Sequence, residues 1–286
     1  MVRIVFFFLL SLGLLHPVFS QTPDARQYEV ILARNIGNAK KIMGVTAIVP
    51  FWIEFADRPF GEQQESDLWS SMSTVARYFL DISIFCGHYR SQYDVYPNPI
   101  PHITITEKAQ VYADDFPYNL VPRSVLDSVH HSFMKSNFFE NIVYVFFVND
   151  TGKVFTIPAF DEHTLEYSLV NVDMGLKNWI KYDELANVLA HEFLHQFGAI
   201  DLYYPRGKGH LDRSSNLWFI KDLVSNYSWE ERAAMEVAFR NSIMTMKAVF
   251  PSGVVVAGPL DPVTRYLIGL TDTLEKRFWR LLDEKG

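Results

Sequence analysis

The chain has 286 residues, 49% hydrophobic and 15% aromatic, and a formal net charge of -7. That composition supplies a sizeable core and excludes an intrinsically disordered chain. With no Lys/Arg-rich run and a mild acidic excess, it also excludes nucleic acid as the natural partner.

At the N-terminus, Arg3 precedes an apolar block, Ile4 to Leu15, which Pro17 and the small residue Ser20 close. This three-part pattern reads as a secretory signal peptide over residues 1–20. The block is shorter than the roughly 20 residues that a bilayer-spanning helix needs. The expected location is extracellular, or periplasmic, with the signal removed and no stable membrane insertion afterwards. An uncleaved anchor or a buried N-terminal helix is the competing reading. Cys86 is the sole cysteine, so no internal disulfide forms. It reads as a buried small apolar residue, with an inhibitory thiol over a metal as the weaker alternative. Asn149-Asp150-Thr151 and Asn226-Tyr227-Ser228 match the N-glycosylation pattern.

Residues 21–42 are polar and mixed. Thr46 to Phe55 reads as a strand, and the acidic segment after Gly61 leads into a helix near Glu65 to Leu80. Strands are expected within Ile103 to Tyr112, whose opening alternates with period two. Pro122 opens a helix from Arg123 to about Phe138, at a position where its missing N–H is harmless. Ile142 to Val148 is a continuous β-branched and aromatic run, hence a buried central strand. Asn149 to Gly152 reads as a turn. Val154 to Pro158 is a short strand whose proline suggests a sheet edge. Ser168 to Val172 is a further strand.

A helix follows, with Asp183 as N-cap and Glu184 in its first turn. Leu185, Leu189, Phe193 and Phe197 form its apolar stripe, with Val188, His191 and His195 on a neighbouring face. Gly198 ends it. Further on, Ser228 to Glu231 is a capping box for a helix towards Phe239. A turn occupies Asn241 to Thr245, Asp261-Pro262 opens another helix, and Asp272 to Glu275 caps a last one reaching Leu282. The plan is α+β: a mixed twisted sheet with helices first, then a mainly helical C-terminal part.

The stretch AHEFLHQFGAIDLYYP (Ala190 to Pro205) carries the chemistry. Positions i and i+4 on a helix stand side by side, so the His191 and His195 imidazoles can converge on one zinc ion. Glu192 is rotated one residue on, placed to touch a zinc-bound water rather than the ion. Zinc lowers that water's pKa towards about 7, and Glu192 takes its proton as general base. A catalytic zinc needs a third protein ligand and an open position. Gly198 turns the chain and Asp201 brings a carboxylate. Two surface histidines on an ordinary helix are the bland alternative, but Gly and Asp at fixed offsets make a chance match far rarer than HExxH alone.

HEFLHQFGAID resembles the metzincin zinc endopeptidases, whose extended motif is HExxHxxGxx followed by His or Asp. The Asp form is similar to that of snapalysin-like and immune-inhibitor-A-like secreted bacterial peptidases. Ser242-Ile243-Met244 looks like the family's methionine turn. The resemblance is specific for residues 183–204 and 241–246; elsewhere it is architectural, in the strand order, the short edge strand and the C-terminal helix. It implies a metzincin-like fold with the zinc helix at a cleft. It carries over His191, His195 and Asp201 as ligands of one catalytic Zn2+, Glu192 as general base and Met244 as structural support. On this reading residues 43–286 form the catalytic domain, with an N-terminal subdomain to about 198 and a C-terminal one from about 199. Residues 21–42 precede it as a separate segment. The implied partner is a protein or peptide substrate; nothing in the sequence sets an oligomeric state.

One departure stands out: Met246 occupies the place where many metzincins carry a tyrosine. Tyr203, Tyr204 and His210 are substitute candidates for stabilising the oxyanion, although such aromatics more often pack. Glu230, Glu231 and Glu236 are rival third ligands, ranked below Asp201. His88, His102, His130, His131 and His163 lack ligand spacing. Asp114-Asp115 reads as a solvated loop. The edge strand at Val154 to Pro158 offers a place for an extended substrate to add as a further strand. The competing functional class is a secreted zinc-containing binding protein without proteolytic activity.

Overall fold

The computed structural model describes residues 39, 41–96, 100–135, 139–152, 154–157, 165–172, 182–199, 228–239, 242–244, 260–275 and 278. Two apolar runs form the middle of a mixed sheet. β1 (Val45–Phe55) and β4 (Asn141–Val148) lie parallel, with Thr46 to Ile53 opposite Asn141 to Val148. All eight residues of β4 are buried, as a strand covered on both faces requires. The other strands are β2 (Gln92–Val95), β3 (His102–Ile105), β5 (Val154–Ile157) and β6 (Tyr167–Asn171). Their order is β2-β1-β4-β6-β5, with β3 also pairing β1. Among the described strands every pairing is parallel except that of β5 with β6, which is antiparallel and places β5 at the end of the order.

Pro50 sits inside β1, where a proline removes a ladder donor. The arrangement tolerates it. β2 pairs β1 at Val45 to Ile48 and β3 pairs it at Trp52 to Phe55. On that same side the Ile48 carbonyl accepts from Tyr96 N–H at 2.8 Å and Trp52 N–H donates to the Pro101 carbonyl at 2.9 Å. Pro50 falls between the two ladders, with its donor-less nitrogen facing the break.

The helices are α1 (Glu62–Phe85), α2 (Arg123–Lys135), α3 (Tyr182–Gln196), α4 (Trp229–Phe239) and α5 (Pro262–Leu267). No helix among the described residues is long and apolar enough to cross a membrane. The sheet separates two apolar clusters. On one face Trp52, Val145 and Phe147 meet Met72 and Phe79 of α1, Leu189, Phe193 and Phe197 of α3, and Met244, Tyr266 and Phe278 from the C-terminal part. On the other, Phe51, Phe146 and Leu169 meet Phe116, Val121 and Leu126. The described C-terminal residues thus complete the core under α1 and α3 rather than forming a core of their own.

The expected strands β1, β4, β5 and β6, the opening of the Ile103 to Tyr112 segment as β3, and the helices α1 to α5 are present; α1 is longer at both ends. Asp183 lies within the first turn of α3 rather than ahead of it, a one-to-two-residue difference of the kind helix ends show. One reading is corrected, and one strand was not foreseen. Lys108–Tyr112 is a 3₁₀ helix, not a strand. The Gln110 side chain accepts from Thr106 N–H at 3.0 Å and Glu107 N–H at 2.9 Å, closing the chain into a turn. β2 was not among the expected strands; its Gln92 and Asp94 are polar, while Tyr93 is buried and Val95 packs against the same core, and the Tyr93 hydroxyl donates to the Ile42 carbonyl at 2.9 Å. Ala39 and Ile42, at the end of the polar N-terminal segment, are buried, and Ile42 N–H donates to the Ile268 carbonyl at 3.0 Å. Residues 1–20 and the helix end towards Leu282 lie outside the described residues, as does Pro158.

Because both faces of β4 are covered, Phe146→Ala and Phe147→Ala should each cost about 3–5 kcal/mol of unfolding free energy. Urea denaturation measures this; a small loss at one of the two would mean that one face is solvated.

Candidate metal centre

The stripe of Leu185, Leu189, Phe193 and Phe197 is buried and fixes the rotation of α3 against the sheet. That rotation points Gln196 at the sheet. Its carboxamide accepts from Tyr144 N–H at 3.2 Å and donates to the Tyr144 carbonyl at 2.9 Å, one residue before β6 begins pairing with β4. A side chain thereby replaces a missing ladder partner. The neighbouring face of α3 carries His191, which is buried, and His195, which is partly buried.

Gly198 ends this helix with φ +94°, a conformation only glycine adopts without strain. Gly198 N–H donates to the His195 carbonyl and Ala199 N–H to the Leu194 carbonyl, both at 2.9 Å. This is a Schellman turn. It also folds the Ala199 carbonyl back onto the helix, where it accepts from His195 Nδ1 at 2.9 Å. His191 Nδ1 donates to the Ile243 carbonyl at 3.0 Å.

A carbonyl can only accept, so both Nδ1 atoms carry the proton, and in the neutral rings each Nε2 keeps its lone pair. The two Nε2 atoms stand 3.2 Å apart, with the rings edge to face at 87°. Two lone pairs at that separation repel unless a proton or a cation lies between them. Two nitrogens each ~2.0–2.1 Å from a tetrahedral ion stand about 3.3 Å apart. The pair therefore fits half of a tetrahedral metal shell, and its carbonyl partners are those that metal-ligating histidines take. Among the described residues there is no group of three or more His, Cys, Asp or Glu side chains that could hold a metal ion. Asp201, the expected third ligand, lies outside them, as do Tyr203, Tyr204, His210, Met246 and His163.

The Ile243 carbonyl is itself held. Ser242, Ile243 and Met244 are buried. Ser242 N–H donates to the Phe239 carbonyl at 3.1 Å, and Met244 N–H to Ser242 Oγ at 3.3 Å. Ser242 Oγ donates to Asp261 Oδ2 at 2.6 Å, and Asp261 caps α5 by accepting from Thr264 N–H at 2.8 Å and Thr264 Oγ1 at 2.6 Å. Burial pushes the Asp261 pKa up, opposed by these donors from Ser242 and Thr264. The sequence marks Asp261 as the start of a helix but not its grip on the turn at Ser242 to Met244. The Asp-Pro signal marks a cap, but nothing in it names a partner 19 residues away.

Glu192 is 8% exposed, and its carboxylate accepts from Thr156 Oγ1 at 2.7 Å. The other candidates sort themselves by their partners. Glu231 completes the expected capping box, accepting from Ser228 N–H at 2.8 Å while its own N–H donates to Ser228 Oγ at 3.2 Å. Glu230 is exposed beside it, and the side chain of Glu236 lies outside the described residues. His102 faces Glu54 at 3.3 Å and Glu65 at 3.8 Å on the surface. Cys86 is half-buried at the end of α1, and burial pushes its thiol pKa up. Asp114 and Asp115 are exposed. Asn149 is 7% exposed, and its amide nitrogen donates to the Arg58 carbonyl at 3.0 Å and the Pro59 carbonyl at 2.9 Å, so the folded chain does not present it to a glycan.

No protein-family model, curated protein or solved structure matches the chain.

The buried Asp261 sets a pH dependence. Its folded-state pKa is raised above the ~3.9 of an unfolded aspartate. The folded chain therefore binds this proton more tightly than the unfolded one, and its contribution to stability is lost as pH climbs from about 4 through the raised value. Asparagine does not titrate. The stability of Asp261→Asn relative to wild type should rise across that span and then level off, in urea denaturation of both proteins between about pH 4 and 8. A difference flat in pH would show that Asp261 is not held as a desolvated acid.

Proposed function

We propose that the chain is a secreted zinc-dependent metalloendopeptidase with a metzincin-like domain. One observation carries this reading: two imidazoles, each oriented by a backbone carbonyl, bring their Nε2 atoms to 3.2 Å from each other, the spacing of two nitrogens on one tetrahedral ion. Three others support it. Glu192 follows His191 directly and is nearly excluded from water. The Ile243 carbonyl of the expected methionine turn is the acceptor that orients His191. The sheet ends in a short antiparallel edge strand, β5, whose contacts include α3.

His191, His195 and Asp201 are the residues that would hold zinc, which supplies Lewis acidity towards a peptide carbonyl and lowers the pKa of water. The chain's own residues do the rest. Among the described residues β5 pairs with β6 alone, and its other edge would offer main-chain hydrogen bonds to an extended peptide. Glu192 takes the proton of the attacking water on its carboxylate and returns it to the leaving amine. With little water around it, that carboxylate acts in a low-dielectric setting where charge interactions are strong.

The competing reading, a binding protein with a structural zinc, has no use for a carboxylate beside the paired imidazoles. The deciding experiment is metal analysis of residues 21–286 with a proteolysis assay. One zinc per chain is expected, with cleavage reduced about 10²–10⁴-fold in Glu192→Ala while zinc stays bound. Cleavage by Glu192→Ala at the wild-type rate would overturn the mechanism. A zinc-loaded wild type inert across a broad peptide library would establish the binding protein instead. For the edge strand, a peptide complex should place the substrate beside β5; a substrate lying elsewhere would remove that role.

A further inference from the structure

A pair of hydroxyls between the sheet and α3, one buried and one half-buried, has a direction built into it. Thr156 and Ser168 are partners across β5 and β6, with oxygens 2.8 Å apart. Their neighbours decide which one donates. The backbone N–H and carbonyl of Tyr144 fix the orientation of the Gln196 carboxamide, since Oε1 must face the N–H and Nε2 the carbonyl. The second N–H of Gln196 donates to Ser168 Oγ at 2.7 Å. The Glu192 oxygens beside Thr156 can only accept, so the Thr156 hydrogen goes to them, and Ser168, an acceptor from Gln196, donates its hydrogen to Thr156. The Thr156 hydrogen is then directed at Glu192, whose carboxylate Oε2 is 2.7 Å away and whose carbonyl is 2.9 Å away. Gln196, Ser168 and Thr156 form a one-way row of donors that ends on a carboxylate.

We propose that Thr156 is the positioning residue for Glu192, holding its carboxylate in one orientation with Ser168 and Gln196 behind it. Three physical points support this. The terminal torsion of a glutamate is broad, so without a fixed donor the carboxylate would sample many orientations. Among the described residues, Thr156 supplies the hydrogen bond to that carboxylate. A hydroxyl-to-carboxylate bond of this length is charge-assisted, and each donor behind it polarises the next. Ser168 and Gln196 are 0% and 1% exposed, so water does not compete for the inner part of the row, while Thr156 at its end is half-buried. Thr156 also lies on β5, so the strand with the open edge and the orientation of Glu192 are mechanically joined.

The consequence for catalysis rests on the peptidase reading; the consequence for stability does not. In the zinc-loaded mature chain assayed on fluorescein-labelled casein, Thr156→Val should lower kcat about ten- to a hundredfold. KM and zinc content should stay within about twofold of wild type, and Thr156→Ser, which keeps the hydroxyl, should recover most of the rate. Unchanged kcat in Thr156→Val, or no recovery in Thr156→Ser, would overturn the role. The second readout needs no activity. Thr156→Val should lower the urea midpoint in the wild-type background and shift it clearly less in a Glu192→Ala background, where only the carbonyl acceptor remains. Equal shifts in both backgrounds would show that Thr156 and the carboxylate are uncoupled, and the inference would fall. If wild type cleaves neither casein nor any member of the peptide library but the midpoints couple, the peptidase reading fails and the positioning contact stands.

Discussion

Two backbone carbonyls determine what the histidines of α3 can do. An imidazole is ambiguous until something claims one of its nitrogens. Here the Ala199 and Ile243 carbonyls claim both Nδ1 atoms, and the Nε2 atoms are left facing each other. The two carbonyls arrive by different routes. Ala199 comes from the helix itself, bent back by the Schellman turn at Gly198. Ile243 comes from 52 residues away and is held in place by Ser242 and the buried Asp261. One half of the centre is therefore local, and the other depends on the C-terminal part having docked.

This division explains how much of the site was legible in the sequence. Local features left clear marks. The four-residue stripe of α3, Gly198 at positive φ, the Ser228–Glu231 box and the Asp261-Pro262 helix start all lie within one turn of the residues that reveal them. β1 and β4 announced themselves as apolar runs. The misses share one cause: they rest on contacts between residues far apart in the chain or on polar residues in unexpected roles. β2 carries polar residues at alternate positions and is a strand only because β1 offers it a ladder. The segment from Lys108 to Tyr112 looked strand-like, but Gln110 closes it into a turn. Thr156, Ser168 and Gln196 look like ordinary polar residues on a strand, a strand and a helix. Only their assembly makes a network.

That network also answers a packing problem. A helix carrying two histidines, a glutamate and a glutamine against the same sheet would bury polar atoms at considerable cost if they lacked partners. The structure settles it by dividing the labour. The apolar stripe meets the sheet's side chains, Gln196 substitutes for a strand where β4 outruns β6, and the hydroxyls of β5 and β6 take up what remains. A partly satisfied version would be worse than an apolar one, so the members constrain one another's identity. Seating α3 correctly and arranging its polar face are one structural event.

Pro50 has a consequence of a different kind. A strand in the interior of a sheet is normally free to accept neighbours in more than one register, because every second residue offers the same pair of groups. β1 lacks one such offer, at the single place where β2 stops and β3 has not begun. Sliding either neighbour along by two residues would press a carbonyl against the pyrrolidine ring in place of a donor. The imino acid thus acts as a stop for both short strands, forbidding the misaligned sheets that their weak patterns would otherwise permit.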